Sequence, residues 1–275
     1  KDLENTVHGE VKILEDKNIF IDLERFIFNK NNFAAEINYD LNNNFIIEIN
    51  SGILNLDTFL QSKNKSNNNF SIIANLDKLF LFNNIELNKS KLIYSYQDNI
   101  LNKFSINSKY FGDEDFSLTC FNENNNSNRI KYELSASDAG KFFKILNYTT
   151  EIMDGVFSSE GYFGEIDNDY DIMGTVSIDN FRVMKAPIFA ELLLAASLTG
   201  LIEVLENDGI EFEQFDAQYF GKDKIYTITK SRAYGFSLGI TGAGTINSNN
   251  SSVEIKGSLI PAYKINSVFN NIPII

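Results

Sequence analysis

Apolar and polar residues alternate with a period of two through most of the first 135 residues, and that alternation restricts this region to sheet structure. Ile19, Ile21 and Leu23 fall on one face, with Asp22 and Glu24 on the other. Phe45, Ile47 and Ile49 alternate with Ile46, Glu48 and Asn50; Phe70, Ile72, Ala74 and Leu76 alternate with Ser71, Ile73 and Asn75. Leu92, Tyr94 and Tyr96 repeat the pattern, as do Phe116, Leu118 and Cys120, and then Ile130, Tyr132 and Leu134. A strand sends successive side chains to opposite faces, whereas a helix would scatter these residues around its axis. The turns are asparagine-rich: Asn42-Asn43-Asn44, Asn67-Asn68-Asn69 and Asn124-Asn125-Asn126. Segments recur about every 10 to 15 residues with no proline between them and no strict sequence repeat, which predicts an antiparallel meander.

The chemistry changes near residue 136. All three prolines lie beyond it, and of the glycines only Gly9, Gly52 and Gly112 precede it. The sequence therefore divides into an asparagine-rich β-meander region, 1–135, and a glycine-studded region, 136–275, expected to share one continuous sheet. Ser137-Asp138-Ala139-Gly140 opens a predicted helix at about 138–147, with Ser137 or Asp138 as N-cap and Phe142, Phe143, Ile145 and Leu146 as its apolar face. Gly155 to Gly161 and Ile172 to Ile178 read as a hairpin around Asp167-Asn168-Asp169. A longer helix is predicted at about 187–207: Pro187 suits a first helical turn, and Asp208-Gly209 ends the run. Its segment Leu192 to Ile202 carries no charge, yet it is too short for a bilayer, which needs about 20 apolar residues. Glycines at 235, 239, 242, 244 and 257 mark bends or close backbone approach in the strands that follow.

Composition excludes several functions. Lys and Arg number 24 against 37 Asp and Glu, a net charge of −13, which opposes binding to nucleic acid or to anionic headgroups. A single cysteine, Cys120, forbids an intrachain disulfide, and a single histidine, His8, leaves no His-based triad or His-rich metal site. Asparagine, roughly one residue in seven, reads as AT-rich codon usage, so the Asn-x-Ser/Thr sites carry little information.

The remaining motifs read as structure. Asp167-x-Asp169-x-Asp171 imitates the start of a calcium loop, but Ile172 stands where glycine is needed and Ile178 where glutamate is needed. Gly239-Ile240-Thr241-Gly242-Ala243-Gly244 is not followed by a helix or by Gly-Lys-Ser/Thr, so it lacks the context of a phosphate loop. Glu203, Glu206, Asp208, Glu211, Glu213 and Asp216 form an acidic run that reads as a solvated helix end, and Ser197 and Ser237 have no histidine partner. No catalytic centre, metal site or cofactor is expected.

From residue 136 onward the ordered motifs resemble the AsmA-like C-terminal domain of the AsmA and YhdP family of Gram-negative envelope proteins. The resemblance rests on Ala136-x-Asp138-Ala139-Gly140, then Gly155, Gly161 and Gly174, then Phe181, Ala186-Pro187 and Leu192-Leu193. It continues through Ala196-Ser197-Leu198-Thr199-Gly200, Gly209-Ile210-x-Phe212 and Gly235-x-Ser237-x-Gly239-x-Thr241-x-x-Gly244, then Gly257. It closes on Pro261-Ala262-Tyr263-x-x-Asn266 and Ile272-Pro273. It covers about half the chain; residues 1–135 are similar only in style. Asp154-Gly155 stands where the family often has a glycine pair, and Tyr234-Gly235-Phe236 where it has Gly-Pro.

The resemblance implies a mainly β protein: a long antiparallel sheet, strongly curled and twisted into a taco-like apolar groove. It implies a periplasmic location, an inner-membrane anchor upstream, and phospholipid transport towards the outer membrane in support of envelope integrity. Phospholipid acyl chains are then the expected cargo, with a partner at the outer membrane possible and no nucleic acid. Both ends of the chain look cut, so it is expected to be a piece of a longer protein. Asp138, Gly140, Pro187, Ser197, Gly200, Gly209, Gly239, Gly244, Pro261 and Asn266 are its structural motif residues. The 187–207 helix is expected to close one end of the groove, with Leu192, Leu193, Ala196 and Leu201 facing the interior. Two other readings stand beside lipid passage: a scaffolding segment whose apolar face is a sealed core, and an adhesin or autotransporter passenger.

Overall fold

The computed structural model describes residues 5–60, 68–123, 129–164 and 171–261. Contacts divide the chain into Lys1–Leu134 and Ser135–Ile275. Hydrogen-bonded neighbours follow chain order through fifteen strands, so the sheet is open, with β1 at one edge and β15 at the other.

The first unit contains β1 (Thr6–Ile13), β2 (Ile19–Phe28), β3 (Asn31–Tyr39) and β4 (Asn44–Asn55), then a short α1 (Asp57–Leu60). It continues with β5 (Asn69–Phe80), a 3-10 turn at Phe82–Asn84, β6 (Glu86–Gln97), β7 (Ile100–Tyr110) and β8 (Glu114–Asn122). β9 (Arg129–Ala136) runs across the boundary. Each strand is rich in Ile, Phe, Tyr and Val, side chains that pack well on a pleated surface. The expected antiparallel meander holds for most of these strands but not at β4 and β5, which run parallel, with Phe45 opposite Phe70 and Ile49 opposite Ala74. The physical reason is the connection: residues 56–68 separate the two strands, and a parallel pair needs a crossover of about a dozen residues.

Several asparagines are more than compositional filler. Asp40 accepts hydrogen bonds from the Asn44 side chain at 2.7 Å and from the N–H groups of Asn42 and Asn44 at 2.8 and 3.0 Å. These bonds, the Asn44 side chain foremost, hold the Asp40 carboxyl below its usual range. Asn69 donates to the Asn44 side chain at 2.8 Å and accepts from the Asp98 N–H at 3.0 Å, linking three turns. Asn31, buried, donates to the Phe28 carbonyl and accepts from the Asn55 N–H at 2.7 Å. The turn expected at Asn124-Asn125-Asn126 and the hairpin tip at Asp167-Asn168-Asp169 lie outside the described residues.

The second unit contains α2 (Ala139–Ile145), β10 (Ile152–Gly164), β11 (Ile172–Val183), α3 (Pro187–Ala195) and α4 (Gly200–Asn207). It ends with β12 (Ile210–Lys222), β13 (Ile225–Tyr234), β14 (Leu238–Asn247) and β15 (Ser252–Pro261), all antiparallel from β10 on. Asp138 caps α2 by accepting from the Lys141 N–H at 2.9 Å, and Phe142 and Phe143 pack on Phe157 of β10 with ring centroids 5.1 and 5.4 Å away.

The single helix predicted at 187–207 is two. Ser197 adopts a left-handed φ of 59°, and the N–H groups of Ser197 and Leu198 reach back to the carbonyls of Leu194 and Leu193 at 2.9 and 2.8 Å. That double bond pattern is the Schellman stop, which satisfies the last carbonyls of α3 and turns the chain before α4 begins. It usually carries glycine, so the charge-free run around Ser197 looks helical from its composition alone.

Candidate functional site

The register of the first unit lines apolar residues up in rows that cross the strands. One row runs Val11, Ile21, Ile37, Ile47, Ile72, Tyr94, Phe104 and Cys120, each directly opposite the next from β1 to β8. Residues paired this way share a face of the sheet. A second row runs Ile13, Ile19, Tyr39, Phe45, Phe70, Tyr96 and Leu101. Rings meet along it: Tyr39 and Phe45 at 4.5 Å, Phe45 and Phe70 at 5.3 Å. A third row runs Leu23, Ala35, Ile49, Ala74, Leu92, Ile106 and Leu118.

Burial grades across these rows. In the third, Ala35, Ile49, Ala74, Leu92 and Ile106 are all at most 4% exposed. In the first two, the residues from β2 to β7 are only partly buried, and Val11 and Ile13 on the edge strand are 66% and 77% exposed. Burial still pushes the Tyr94 phenol upward, with Tyr96 beside it adding to the shift. At about 4.8 Å between strands, eight strands give the first row a length of roughly 34 Å. The opposite face carries Glu36, Glu48, Asn75, Lys91 and Lys103.

The second unit repeats the device with smaller residues. Phe157, Ile178, Phe215, Ala233, Ile240 and Leu259 form one row from β10 to β15. The next row, Ser159, Val176, Ala217, Ser231, Gly242 and Gly257, has no side chain larger than valine. In the row after that, Gly161 lies opposite Gly174, and a β-carbon on Gly161 would meet the Met173 carbonyl and stand 2.6 Å from the Gly174 Cα.

The residues expected to face the interior from the long helix take different environments. Leu193 is fully buried, Leu201 is partly buried, Leu192 is 49% exposed and Ala196 is exposed. Ile188, Leu192 and Ala195 lie along the outer side of α3, while Phe189 packs on Phe212, which stacks on Phe181. Among the motif residues, Asp138 caps α2 and Pro187 opens α3. Gly140 is wedged against the Ile152 carbonyl and the Met153 Cα, and Gly209 has a φ of 85° beside Met184. Ser197 stops α3, Gly200 opens α4, Gly239 and Gly244 lie in β14, and Pro261 ends β15. Asn266 lies outside the described residues. The row arrangement was missed in the sequence because it depends on register; the signal present was the shared period of two.

Among the described residues no group of three or more His, Cys, Asp or Glu side chains could hold a metal ion, and no helix is long and apolar enough to cross a membrane. Comparison with family models, with curated proteins and with solved structures finds no match to this chain.

Proposed function

We propose that this chain is a periplasmic segment of an AsmA-like protein anchored in the inner membrane, and that its apolar β face carries phospholipid acyl chains towards the outer membrane without any catalytic step. The observation that carries this reading is the graded burial of the rows crossing β1 to β8, where isoleucine, phenylalanine and tyrosine side chains stay partly open instead of sealing a core. Each methylene kept from water is worth about 0.8 kcal/mol, so a continuous apolar row offsets most of the cost of moving an acyl chain through an aqueous space. One leaflet's chains span about half of a roughly 30 Å hydrocarbon core, so the track exceeds the length of one chain. The backbone contacts at Gly161 and Gly244 support the strong curl that a groove needs. In this reading α3 closes one end of the second unit's track.

The scaffolding alternative draws on the third row, whose near-complete burial is that of a packed core. Lipid extraction and mass spectrometry of the purified chain test the choice. The proposal expects phospholipid to co-purify, and Ile47→Asp with Ile72→Asp to strip it while circular dichroism stays unchanged. A folded chain free of lipid, which also fails to take up a fluorescent acyl probe from vesicles, would overturn it in favour of the scaffold.

A further inference from the structure

The two edges of the sheet are complementary to each other. β1 reads Gly9-Glu10-Val11-Lys12-Ile13 and β15 reads Val253-Glu254-Ile255-Lys256-Gly257, and every one of these residues is exposed. The apolar ones stand far out of contact: Val11 66%, Ile13 77%, Val253 63% and Ile255 50% exposed. An edge strand with exposed β-branched residues and free backbone groups is a template for another strand.

The backbone decides which residues can pair. The Leu14 N–H donates to the Asn18 carbonyl at 2.8 Å. Antiparallel bonding alternates along a strand, so Lys12 and Glu10 bond to β2, and the N–H and C=O groups of Ile13, Val11 and Gly9 point outward. At the other edge the Gly235 N–H donates to the Leu238 carbonyl at 3.0 Å. The same alternation turns Ile240 and Gly242 towards β13 and Gly239, Thr241, Ala243 and Thr245 towards β15. Their partners Glu254, Lys256 and Ser258 therefore bond inward, and the backbone groups of Val253, Ile255, Gly257 and Leu259 point outward.

Antiparallel pairing of these outward groups has one register that satisfies every position. Val253 meets Ile13, Ile255 meets Val11 and Gly257 meets Gly9 as hydrogen-bonded pairs. Between them Glu254 meets Lys12 and Lys256 meets Glu10 as the closer, non-hydrogen-bonded pairs, where side chains interact most directly. Leu259 then falls opposite Val7, itself 67% exposed. In a single chain these charges have only their own strand neighbours, Lys12 to Glu10 at 3.3 Å and Lys256 to Glu254 at 3.7 Å.

We propose that a second copy of this chain adds its β1 to β15 of the first in this register, extending the sheet head to tail. Such contacts are heterologous and do not close, so the assembly grows as an open series. It goes beyond the lipid reading and does not depend on it.

Sedimentation velocity and light scattering over a concentration series test it with the 275-residue chain. Average mass should climb with concentration and not level off at a dimer. Lys12→Glu or Glu254→Lys alone should weaken association roughly tenfold, by replacing an attractive cross-strand pair with a repulsive one. The two together should restore it. That rescue separates head-to-tail addition from β1–β1 or β15–β15 pairing, where the double variant would stay as weak as one of the singles. Ile255→Pro removes an outward N–H without touching β14, and should leave a folded monomer. A wild-type chain that stays monomeric, a mass that stops at a dimer, or a double variant without recovery would each overturn the proposal.

Discussion

Leu193 and Leu192 are successive residues on α3 with opposite surroundings: the first is fully buried and the second is 49% exposed. Glutamate at the two positions should therefore behave differently. Leu193→Glu buries an unpaired carboxylate and should cost at least about 3 kcal/mol, lowering the urea midpoint or unfolding the second unit. Leu192→Glu should stay within about 0.5 kcal/mol of the parent. Equal losses would mean that α3 does not sit on Phe212 as described.

Gly161 should tolerate no side chain. Alanine there drives a β-carbon into the Met173 carbonyl, and the β10–β11 pair would have to part. The expected loss is about 1–3 kcal/mol, with faster amide exchange in β10 and β11 than in β12. Gly200 is the control: nothing lies within 4 Å of its missing β-carbon, so alanine should be neutral or slightly stabilising in this helical position.

Ser197 holds α3 and α4 apart with a left-handed backbone. Ser197→Gly should match or exceed the parent in thermal unfolding, whereas Ser197→Val should lose about 1 kcal/mol or more, because a β-branched residue is poorly accommodated at positive φ. A valine variant of parental stability would indicate that the two helices can merge into one.

Cys120 ends the first apolar row, and burial pushes its thiol up from 9.0 to about 11. The folded state therefore holds the proton more tightly than the unfolded chain. Its contribution is fully present below about pH 9 and is lost as pH rises towards 11, a fall of about 2 kcal/mol. Chemical denaturation across that range should show the decline in the parent and a flatter profile in Cys120→Ala. A thiol reagent at neutral pH should modify Cys120 only after unfolding.

The strands of the first unit were legible wherever alternation was clean, as at Phe45 to Ile49 and Phe70 to Leu76. β1 escaped notice because Gly9 interrupts its apolar positions and Glu10 and Lys12 fill the other face. β7 escaped because Ser105 and Ser108 occupy buried positions that a hydropathy reading assigns to solvent. The parallel pairing of β4 and β5 was hidden because alternation is identical in both strand directions; only the connection distinguishes them. The α3–α4 break was hidden because its signal is a backbone angle at a residue that is not glycine. Of the apolar track, the period of two told which residues share a face on one strand, but not which strands bring them level.

The parallel joint at β4 and β5 also bears on how the first unit reaches its native state. β1 to β4 and β5 to β8 are each series of neighbouring antiparallel strands joined by short turns, so either set can zip up from its own turns with little lost chain freedom. The joint must instead close the loop of residues 56–68, at an extra entropic cost of roughly 1 kcal/mol over a tight turn. Nothing local rewards that closure before Phe45 meets Phe70 and Ile49 meets Ala74. The nucleus that limits the folding rate is therefore placed at this seam, where two ready-made half-sheets wait for one long-range encounter.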